Sequence, residues 1–386
     1  MRDALIIDAV RSPIGKRNGS LASVRADELA AQVLDGLVSR LDVDPGAIED
    51  VEMGCVTQIG EQALNVGRVA SLIAGWPETV CATTVDRQCG SSMQAAMNAA
   101  SAIQAGHLDA VVAAGVESMS RVPMGSNLGE AGWSGFSDKL LDQWQIVPQG
   151  ISAEVIAEEW GLSREELDAY SYESHQRAIR AIDEGRFENE IVPIDVSNPH
   201  AGVLFAVDET PRRDTSLEKL ASLAPAFKED GVVTAGNSSQ IVDGAAAMLV
   251  TSDQRASELG LEPRGRFVSF GLAGVDPYRM LHGNPQACER ALAKAGLTWD
   301  DISVIEVNEA FASVVLQFLK DTGLGERLED VNPNGGGISL GHPLGATGAR
   351  ITATLLNELD RRDGRFGIAT MCIGQGQAIA AVIERL

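Results

Sequence analysis

Apolar residues follow two different spacings along the first part of the chain. Short, continuous apolar runs predict strands, and apolar residues three or four positions apart predict amphipathic helices. The predicted strands cover residues 5–10, 51–54 and 110–115, and the predicted helices cover residues 27–41 and 91–104. Strands that alternate with helices favour a mostly parallel sheet covered by helices. This part of the chain is therefore predicted to have an α/β fold.

The middle of the chain departs from this alternation. Residues 119–240 are rich in turn formers and charged residues, with helical patterns such as that at 164–183, and they predict an inserted, irregular domain. Strands and helices alternate again in the last third. We therefore expect an N-terminal half, an inserted loop domain and a C-terminal half. These regions cover residues 1–118 plus 241–265, residues 119–240, and residues 266–386.

The two halves contain an internal repeat. Residues 48–54 and 302–308 are similar apolar runs that each follow a helix and a turn, and their offset is 254 residues, the difference between positions 302 and 48. The same offset carries Cys89 to the position after His342. Both residues precede a helix rich in small side chains. Cys89 and His342 are therefore predicted to lie at equivalent helix starts in two duplicated halves.

Charge and cysteine content narrow the function classes. The chain has 54 Asp and Glu against 31 Lys and Arg, a formal net charge of −23, which repels polyanions, so we expect no nucleic-acid partner. No run approaches the ~18–20 apolar residues of a membrane span. The apolar part of residues 1–10 is short and interrupted by Asp, so we expect no signal peptide and a cytoplasmic protein without membrane contact. Five scattered cysteines favour a reducing compartment and no metal site.

One cysteine is placed to act as a nucleophile. Cys89 lies between a predicted strand and a predicted helix N-terminus, where the helix dipole and free N–H groups stabilise a thiolate and lower its pKa. Gly90 permits a tight turn and close approach of a substrate. The alternative is a buried structural cysteine, which is our interpretation of Cys55, Cys81 and Cys288.

Three further residues could complete a catalytic set. His342 stands in a glycine-rich run with room for a ligand, and imidazole is the natural general base near neutral pH. A phosphate-binding loop is the alternative, but the Gly-Lys-Ser/Thr of a P-loop is missing. Cys372 ends a buried strand and enters a glycine turn, so a second thiol could act as a separate acid or base. Asn308 could orient a water or a carbonyl, or simply cap the next helix.

Taken together, these segments resemble the thiolase family over essentially the whole chain. The matching motifs begin at Cys89 (Cys-Gly-Ser-Ser), Gly115 (Gly-Val-Glu-Ser-Met-Ser), Thr234 (Thr-Ala-Gly-Asn-Ser-Ser), Asn308 (Asn-Glu-Ala-Phe), Gly341 (Gly-His-Pro-Leu-Gly-Ala-Thr-Gly) and Cys372 (Cys-Ile-Gly-Gln-Gly). Ketoacyl synthases share the fold and the nucleophilic cysteine but typically lack the second catalytic cysteine. The presence of Cys372 therefore argues against them.

The resemblance implies a five-layered αβαβα fold of two similar halves with a loop domain that binds coenzyme A. By that resemblance, Cys89 would take the acyl group, and His342 would activate it and help to form a first oxyanion hole. Asn308 would hold the water of that hole. The N–H groups of Cys89 and Gly374 would form a second hole. Cys372 would move the proton at the α-carbon of acetyl-CoA.

The resemblance also implies which residues would bind coenzyme A. Arg212 and Lys219 match the segment that meets its adenine and phosphate end, although an ordinary charged helix is the alternative. Phe227 and Ser239 match positions near the pantetheine, and Phe311 belongs to the same set. Coenzyme A and acyl-CoA would be substrates, and no permanent cofactor is expected. The family commonly forms dimers and tetramers, so we expect a homodimer or homotetramer.

The implied reaction is thiolysis of a 3-ketoacyl-CoA to acetyl-CoA and a shortened acyl-CoA. Residues 11–19, 54–58 and 83–86 look like those of degradative thiolases, including bacterial ones that shorten steroid side chains. Residues 146–154 lack the His-Met segment of biosynthetic acetoacetyl-CoA thiolases, which argues against a strict short-chain preference. Residues 377–378 are Gln-Ala where the family usually continues with glycine. The alternatives are an acetoacetyl-CoA thiolase working in Claisen condensation and a non-catalytic acyl-CoA-binding relative.

Overall fold

The computed structural model describes residues 2–197 and 202–386, except for the side chains of Trp133 and Ser134. Twelve strands and eleven α-helices lie within these residues. The strands are β1 (Leu5–Arg11), β2 (Gly15–Lys16), β3 (Asp50–Gly54), β4 (Cys81–Val85), β5 (Ala110–Ser118), β6 (Ile194–Asp195), β7 (Leu204–Phe205), β8 (Val242–Thr251), β9 (Gly265–Gly274), β10 (Ile302–Val307), β11 (Phe366–Ile373) and β12 (Gln377–Arg385). The helices are α1 (Ala26–Leu41), α2 (Val66–Ile73), α3 (Ser91–Ala105), α4 (Asp138–Gln143), α5 (Gln149–Glu159), α6 (Arg164–Asp183), α7 (Leu217–Ala221), α8 (Asp253–Leu259), α9 (Asn284–Ala295), α10 (Ala312–Thr322) and α11 (Thr347–Arg362).

Local signals set the ends of several helices. The Ser163 hydroxyl accepts from the N–H of Glu166, and the Glu166 carboxylate accepts from the N–H of Ser163, so α6 begins with a complete capping box. Helices α3 and α9 end at Gly106 and Gly296, both left-handed, as glycine allows. The helix predicted at residues 164–183 is confirmed as α6.

The large sheet has the strand order β10-β11-β12-β9-β1-β8-β5-β3-β4, with β2 also paired to β8. Each half contributes one part of this sheet. The N-terminal part has the order β4-β3-β5-β8-β1. The C-terminal part, β10-β11-β12-β9, repeats the order β3-β5-β8-β1 and has no counterpart of the edge strand β4. The two parts join where Leu5 and Ile6 of β1 pair with Arg266 and Gly265 of β9. The repeated strand order agrees with the predicted duplication.

The prediction of a mostly parallel sheet is wrong, because the sheet is mixed. Only β3 with β4, β3 with β5, and β10 with β11 pair in parallel, whereas β8 and β12 run antiparallel to their neighbours. The short turn between β11 and β12 permits only an antiparallel pair, because a parallel connection needs a crossover. β8 pairs antiparallel with both β5 and β1, after the chain has passed through the long middle segment.

Three apolar cores separate the layers. The first core lies outside the N-terminal part of the sheet and includes Leu29 of α1. The second lies between the two parts and includes Met93 of α3 and Ile351 of α11. The third lies outside the C-terminal part and includes Val315 of α10. Helices α3 and α11 contact each other in the central layer. The α/β fold of two similar halves in five αβαβα layers is confirmed.

The segment between β5 and β8 carries α4 to α7 and the small β6–β7 hairpin. Its helices α5 and α6 pack against α10 of the second half. This placement sets the inserted segment beside the residues that follow β10. No helix among the described residues combines the length and apolar character needed to cross a membrane.

Candidate functional site

Cys89 occupies a tight loop between β4 and α3. Its side chain is 7% exposed, and the preceding Gln88 has a left-handed backbone with φ 46°. The Ser91 hydroxyl accepts from the N–H of Arg87 at 3.0 Å and so fixes the loop. A Cβ at Gly90 would lie 2.6 Å from Ile373 Cδ1, so the Ile373 side chain at the end of β11 packs directly against this loop.

The pKa of the Cys89 thiol differs in direction from the sequence-based expectation. Burial raises the pKa of the Cys89 thiol to about 12, while hydrogen bonds to Sγ from the N–H groups of Cys89 itself and Gly374 act in the opposite direction. The expected lowering by the helix start is therefore wrong for the free protein, because loss of hydration outweighs the N–H groups. The same two N–H groups point at the position of the thiol and could hold an oxyanion there.

Cys372 lies close to Cys89 at the end of β11. It is 1% exposed, and burial together with the charge of a Cys89 thiolate raises the pKa of the Cys372 thiol. Gln377, where the family usually has glycine, accepts from the Arg87 guanidinium at 3.1 Å and ties β12 to the loop of Cys89. The structure thus brings together two thiols that are 283 positions apart in the sequence.

His342 is buried and held in one tautomer. The Thr347 hydroxyl donates to the carbonyl of Pro343 at 2.9 Å, so it must accept from His342 Nδ1–H, which lies at 2.5 Å. Nε2 therefore carries the lone pair and lies 3.3 Å from Asn308 Nδ2. Burial, with a smaller effect of Arg350, lowers the pKa of His342 to about 3, so the imidazole is neutral at physiological pH.

Asn308 lies in a turn and not at a helix start. α10 begins at Ala312 with Phe311 as its N-cap residue, so the prediction of Asn308 as a helix cap is wrong. The N–H of Ala310 donates to the Asn308 carbonyl at 2.9 Å, and this turn separates Asn308 from the helix. Asn308 Oδ1 is buried and has no hydrogen-bond partner among the described residues, which suits it to hold a water.

The starts of α3 and α11, which the repeat predicted to be equivalent, pack against each other. The N–H of Ala349 donates to the Ser92 hydroxyl at 2.9 Å. A Cβ at Gly348 would lie 2.4 Å from the backbone nitrogen of Met93, so the helices touch through backbone. This contact brings the segments of Cys89 and His342 to the same region of the central layer.

Two buried carboxylates that the sequence reasoning did not identify hold the site together. Glu117 accepts from the N–H groups of Val56, Thr57 and Gly345 at 3.0, 3.0 and 2.9 Å, and so connects the first half to the loop of His342. Burial raises the pKa of Glu117. The available signal was an acidic residue within an otherwise apolar strand, because such a residue must be buried with donors.

Glu309, next to Asn308, is the second of these carboxylates. It accepts from the hydroxyls of Tyr170 and Ser174 at 2.8 and 2.7 Å and from the N–H of Ile338 at 3.1 Å. These bonds join α6, the turn of Asn308 and the glycine-rich loop. The position of Asn308 opposite His342 therefore depends on the inserted segment.

Arg212 and Lys219 border a cleft of about 370 Å³ in the inserted segment. Both side chains are exposed, and Lys219 pairs with Asp214 at 2.8 Å. The Arg212 guanidinium has no ion-pair partner within the described parts of the chain, whereas its backbone N–H donates to His175 Nδ1 at 3.1 Å. Burial lowers the pKa of His175 to about 4, so this side chain adds no charge to the cleft. The cleft offers local positive charge on an acidic protein.

Gln240 connects this cleft to His342. It lines the cleft, and its carbonyl accepts from the N–H of His342 at 3.3 Å. Phe227 and Phe311 meet edge to face with ring centroids 5.9 Å apart, and the N–H of Ser239 donates to the carbonyl of Ala310 at 2.9 Å. The sequence-predicted residues thus form two groups, one at the cleft and one beside Asn308.

The arrangement suits covalent acyl transfer. A buried thiol, a neutral imidazole with an unprotonated Nε2 and a second thiol are the parts that nucleophilic catalysis with a separate proton donor requires. N–H groups beside the first thiol could stabilise a developing oxyanion.

Comparisons with known proteins agree with this chemistry. Residues 4–254 match the family model "Thiolase, N-terminal domain" and residues 261–385 match "Thiolase, C-terminal domain". The chain is 47% identical to the steroid 3-ketoacyl-CoA thiolase FadA6 of Mycobacterium tuberculosis, covering 100% of this chain and 95% of that protein. It is also 47% identical to the 3-ketoacyl-CoA thiolase of Photobacterium profundum, with both covered in full. The crystal structure of the Bacillus anthracis acetyl-CoA acetyltransferase is similar, with a TM-score of 0.91 at 42% identity over 100% of this chain and 99% of that one.

Proposed function

The chain belongs to the thiolase family of acyltransferases, and from that premise we propose that it cleaves 3-ketoacyl-CoA with free CoA to acetyl-CoA and a shortened acyl-CoA. The observation that carries the proposal is the meeting of two buried thiols, Cys89 and Cys372, in one site. Cleavage of a carbon–carbon bond releases an enolate, which needs a proton donor separate from the nucleophile. A second thiol supplies that donor.

In the first step, Cys89 Sγ forms a bond to the keto carbon and its proton passes to His342 Nε2. Burial raises the pKa of Cys89 and lowers the pKa of His342, so it opposes a free thiolate–imidazolium pair. The proton therefore leaves the thiol as the carbon–sulfur bond forms. The tetrahedral oxyanion accepts from the N–H groups of Cys89 and Gly374, the donors that contact the thiol in the free protein.

In the second step, the carbon–carbon bond breaks and its electron pair forms the enolate of acetyl-CoA. The enolate oxygen accepts from protonated His342 Nε2 and from a water held by Asn308. Cys372 gives its thiol proton to the α-carbon and becomes a thiolate. Acetyl-CoA then leaves, while Cys89 keeps the shortened acyl group as a thioester.

In the third step, the Cys372 thiolate takes the proton of an incoming CoA thiol. The CoA sulfur attacks the thioester carbon, the bond to Cys89 Sγ breaks, and His342 returns its proton to Cys89. All protons are thereby restored, and no oxidant or reductant takes part. Each oxyanion site of this kind typically contributes ~10²–10³ in rate.

We propose that the cleft beside Arg212 receives the nucleotide end of coenzyme A. The Arg212 guanidinium, which has no ion-pair partner among the described residues, suits its phosphates, and Lys219, paired with Asp214, lies at the same wall. Phe227, Ser239 and Phe311 would then lie along the pantetheine between the cleft and Cys89. The proposed loop domain of residues 119–240 therefore supplies most contacts to coenzyme A, with residues 1–118 plus 241–265 and 266–386 as the two halves.

For the acyl group we propose a chain longer than that of acetoacetyl-CoA. FadA6 is named a steroid thiolase, and residues 146–154 lack the His-Met segment of the acetoacetyl type. The likeness to an acetyl-CoA acetyltransferase supports the second candidate, acetoacetyl-CoA thiolase. The test is to measure kcat/KM for short, long and steroid-derived 3-ketoacyl-CoA. The rate is the loss of absorbance of each 3-ketoacyl-CoA in the presence of free CoA. Activity confined to the four-carbon substrate would favour the second candidate.

A non-catalytic binding role is tested by mass spectrometry. With acetyl-CoA, the wild-type protein should gain one acetyl group on Cys89, and Cys89→Ala should gain none. Thiolysis that continues unchanged in Cys89→Ala would overturn the proposed function.

We further propose a homodimer or homotetramer in the cytoplasm, with β4 at the interface. β4 is an edge strand whose residues are exposed or half-buried, so it offers unpaired N–H and carbonyl groups. Leu64, in the loop before the neighbouring α2, is 92% exposed, and Leu72 of α2 is 50% exposed. Light scattering of wild type and Leu64→Glu, which places a charge on the exposed apolar surface beside β4, tests the interface.

A further inference from the structure

A group of buried polar atoms without hydrogen-bond partners among the described residues lies on the outer face of the second half. These atoms are Asn284 Nδ2, Ser313 Oγ, Gln317 Oε1 and His282 Nε2. Asn284 begins α9, and Ser313 and Gln317 stand one turn apart on the same face of α10. α9 and α10 pack against each other within an apolar core that contains Leu281, Cys288 and Val315. None of these polar groups takes part in the reaction described above.

The group adjoins Cys372. Thr370 Oγ1 lies 3.4 Å from Asn284 Oδ1. Thr370 and Cys372 are two residues apart on β11, so their side chains share one face of the strand. Moreover, a Cβ at Gly283 would lie 3.1 Å from that of Ala378, the ladder partner of Cys372. The beginning of α9 therefore covers Cys372.

The other end of the group reaches the surface. Gln317 Nε2 donates to Asp321 Oδ2 at 2.7 Å, and Asp321 is exposed. Asp321 Oδ1 accepts from Trp160 Nε1 at 2.7 Å. The half-buried ring of His282 stacks beside Trp160, with centroids 5.9 Å apart. Polar side chains therefore lie beside β11, on α10 and at the surface, within a core that is otherwise apolar.

Polar atoms in such surroundings require partners, because an unpaired buried donor or acceptor keeps its full desolvation penalty. Ser313 and Gln317 are 1% and 0% exposed, so bulk solvent does not supply them. Ordered water, which makes two to four hydrogen bonds, satisfies facing groups of this kind together. We propose that Asn284, Ser313, Gln317 and His282 hold a file of water that connects the Cys372 thiol with solvent and exchanges its proton. This inference rests on the proposed role of Cys372 at the α-carbon of acetyl-CoA.

The exchange balances without net chemistry. When acetyl-CoA acetylates Cys89, the departing CoA sulfur takes the Cys372 proton and leaves a thiolate. This thiolate takes a proton from the methyl group of a second acetyl-CoA, which leaves an enolate and a thiol. In D₂O the thiol proton exchanges for a deuteron through the file, and the deuteron returns to the carbon. Thiolysis does not need the file, because Cys372 recovers its proton from the CoA thiol.

The experiment measures deuterium uptake into the methyl group of acetyl-CoA in D₂O by mass spectrometry, beside thiolysis by the same protein. Ser313→Ala and Gln317→Met each remove one polar group of the file. Thr251→Val is the matched control, since it removes a buried hydroxyl at the end of β8 in the other half that also lacks a partner in the described parts of the chain. We expect both file variants to slow uptake by about tenfold, equivalent to about 1.4 kcal/mol. Thiolysis should be unchanged, and the control should match wild type in both assays.

Uptake at the wild-type rate in both file variants would overturn the inference, as would an equal loss of thiolysis and uptake. A wild-type enzyme that performs thiolysis without any uptake would overturn it as well. By contrast, a wild-type protein that exchanges methyl protons and cleaves no 3-ketoacyl-CoA would overturn the proposed function and leave the file supported if the variants slow the exchange.

Discussion

Asn308 Nδ2 lies 3.3 Å from His342 Nε2, and Thr347 holds the opposite nitrogen of the same ring. The imidazole is thus fixed between two elements of the second half. Because Nδ1 carries the proton, Nε2 is unprotonated and accepts from Asn308 Nδ2 in the free protein. This relationship makes His342 a base whose orientation is set before substrate arrives.

Loss of the Thr347 hydroxyl should release this orientation. We expect Thr347→Val to lower kcat/KM by about tenfold, the effect of about 1.4 kcal/mol, because Nδ1–H loses its acceptor and the ring can turn. Thr347→Ser keeps the hydroxyl and should retain most of the activity. Steady-state thiolysis measures both, and equal losses in the two variants would contradict the orienting role.

Removal of the Cys372 thiol should impair thiolysis but not acetylation of Cys89. We expect Cys372→Ala to lower thiolysis by ~10²–10⁴, the usual contribution of a general acid, while Cys89 still accepts an acetyl group from acetyl-CoA. Intact mass spectrometry reports the acetylation, and absorbance reports thiolysis. Cys81→Ala, at an exposed cysteine, is the control. If Cys372→Ala fails to form the acyl-enzyme, the role of Cys372 would not be confined to proton transfer at the α-carbon.

Arg212 should contribute to the affinity for CoA through the nucleotide. We expect Arg212→Ala to raise KM for CoA about tenfold, in line with ~1.5–3 kcal/mol for a hydrogen bond to a charged group, without changing KM for pantetheine. Arg213→Ala is the matched control, because the Arg213 guanidinium pairs with Asp183 at 2.6 Å. An equal increase in KM for CoA and in KM for pantetheine would place Arg212 outside the nucleotide site.

The stability of the fold should fall in mild acid because of its buried histidines. Burial lowers the pKa of His342 to about 3 and the pKa of His175 to about 4, whereas an unfolded histidine has a pKa of about 6.5. Between pH 6.5 and about 4 the unfolded state therefore binds more protons, and stability is lost as the pH falls. Urea unfolding against pH should show this slope.

The histidine variants should flatten that slope. His342→Gln and His175→Gln should each reduce it by up to about 1.4 kcal/mol per pH unit, the value for one proton. His107→Gln, a change at an exposed histidine, is the control. An unchanged slope in both buried variants would show that carboxylates dominate the acid response.

Replacement of Glu117 in β5 should lower the free energy of unfolding. Glu117→Ala leaves three buried N–H groups without an acceptor, and we expect it to lower the free energy of unfolding by about 3 kcal/mol or more. Glu117→Gln keeps an amide oxygen and should cost less. Chemical denaturation measures both changes, and an equally small effect of the two would contradict the role of the carboxylate.

The sequence by itself determined the order of the elements and the pairing of the two halves. Apolar spacing is a local property, so it predicted α6 within its bounds and the helix starts behind Cys89 and His342. The motif order identified the family, and with it the catalytic candidates, because each candidate stands at the end of a strand or the start of a helix.

Only the tertiary structure decided how these parts act on one another. The antiparallel course of β8 and β12 depends on contacts between distant segments, which local spacing does not encode. The raised pKa of Cys89 and the lowered pKa of His342 both come chiefly from burial, which depends on the packing of both halves together. The hydrogen bonds of Glu117 and Glu309 likewise join segments that are far apart in the chain, so the sequence could show the buried charges but not the donors that satisfy them.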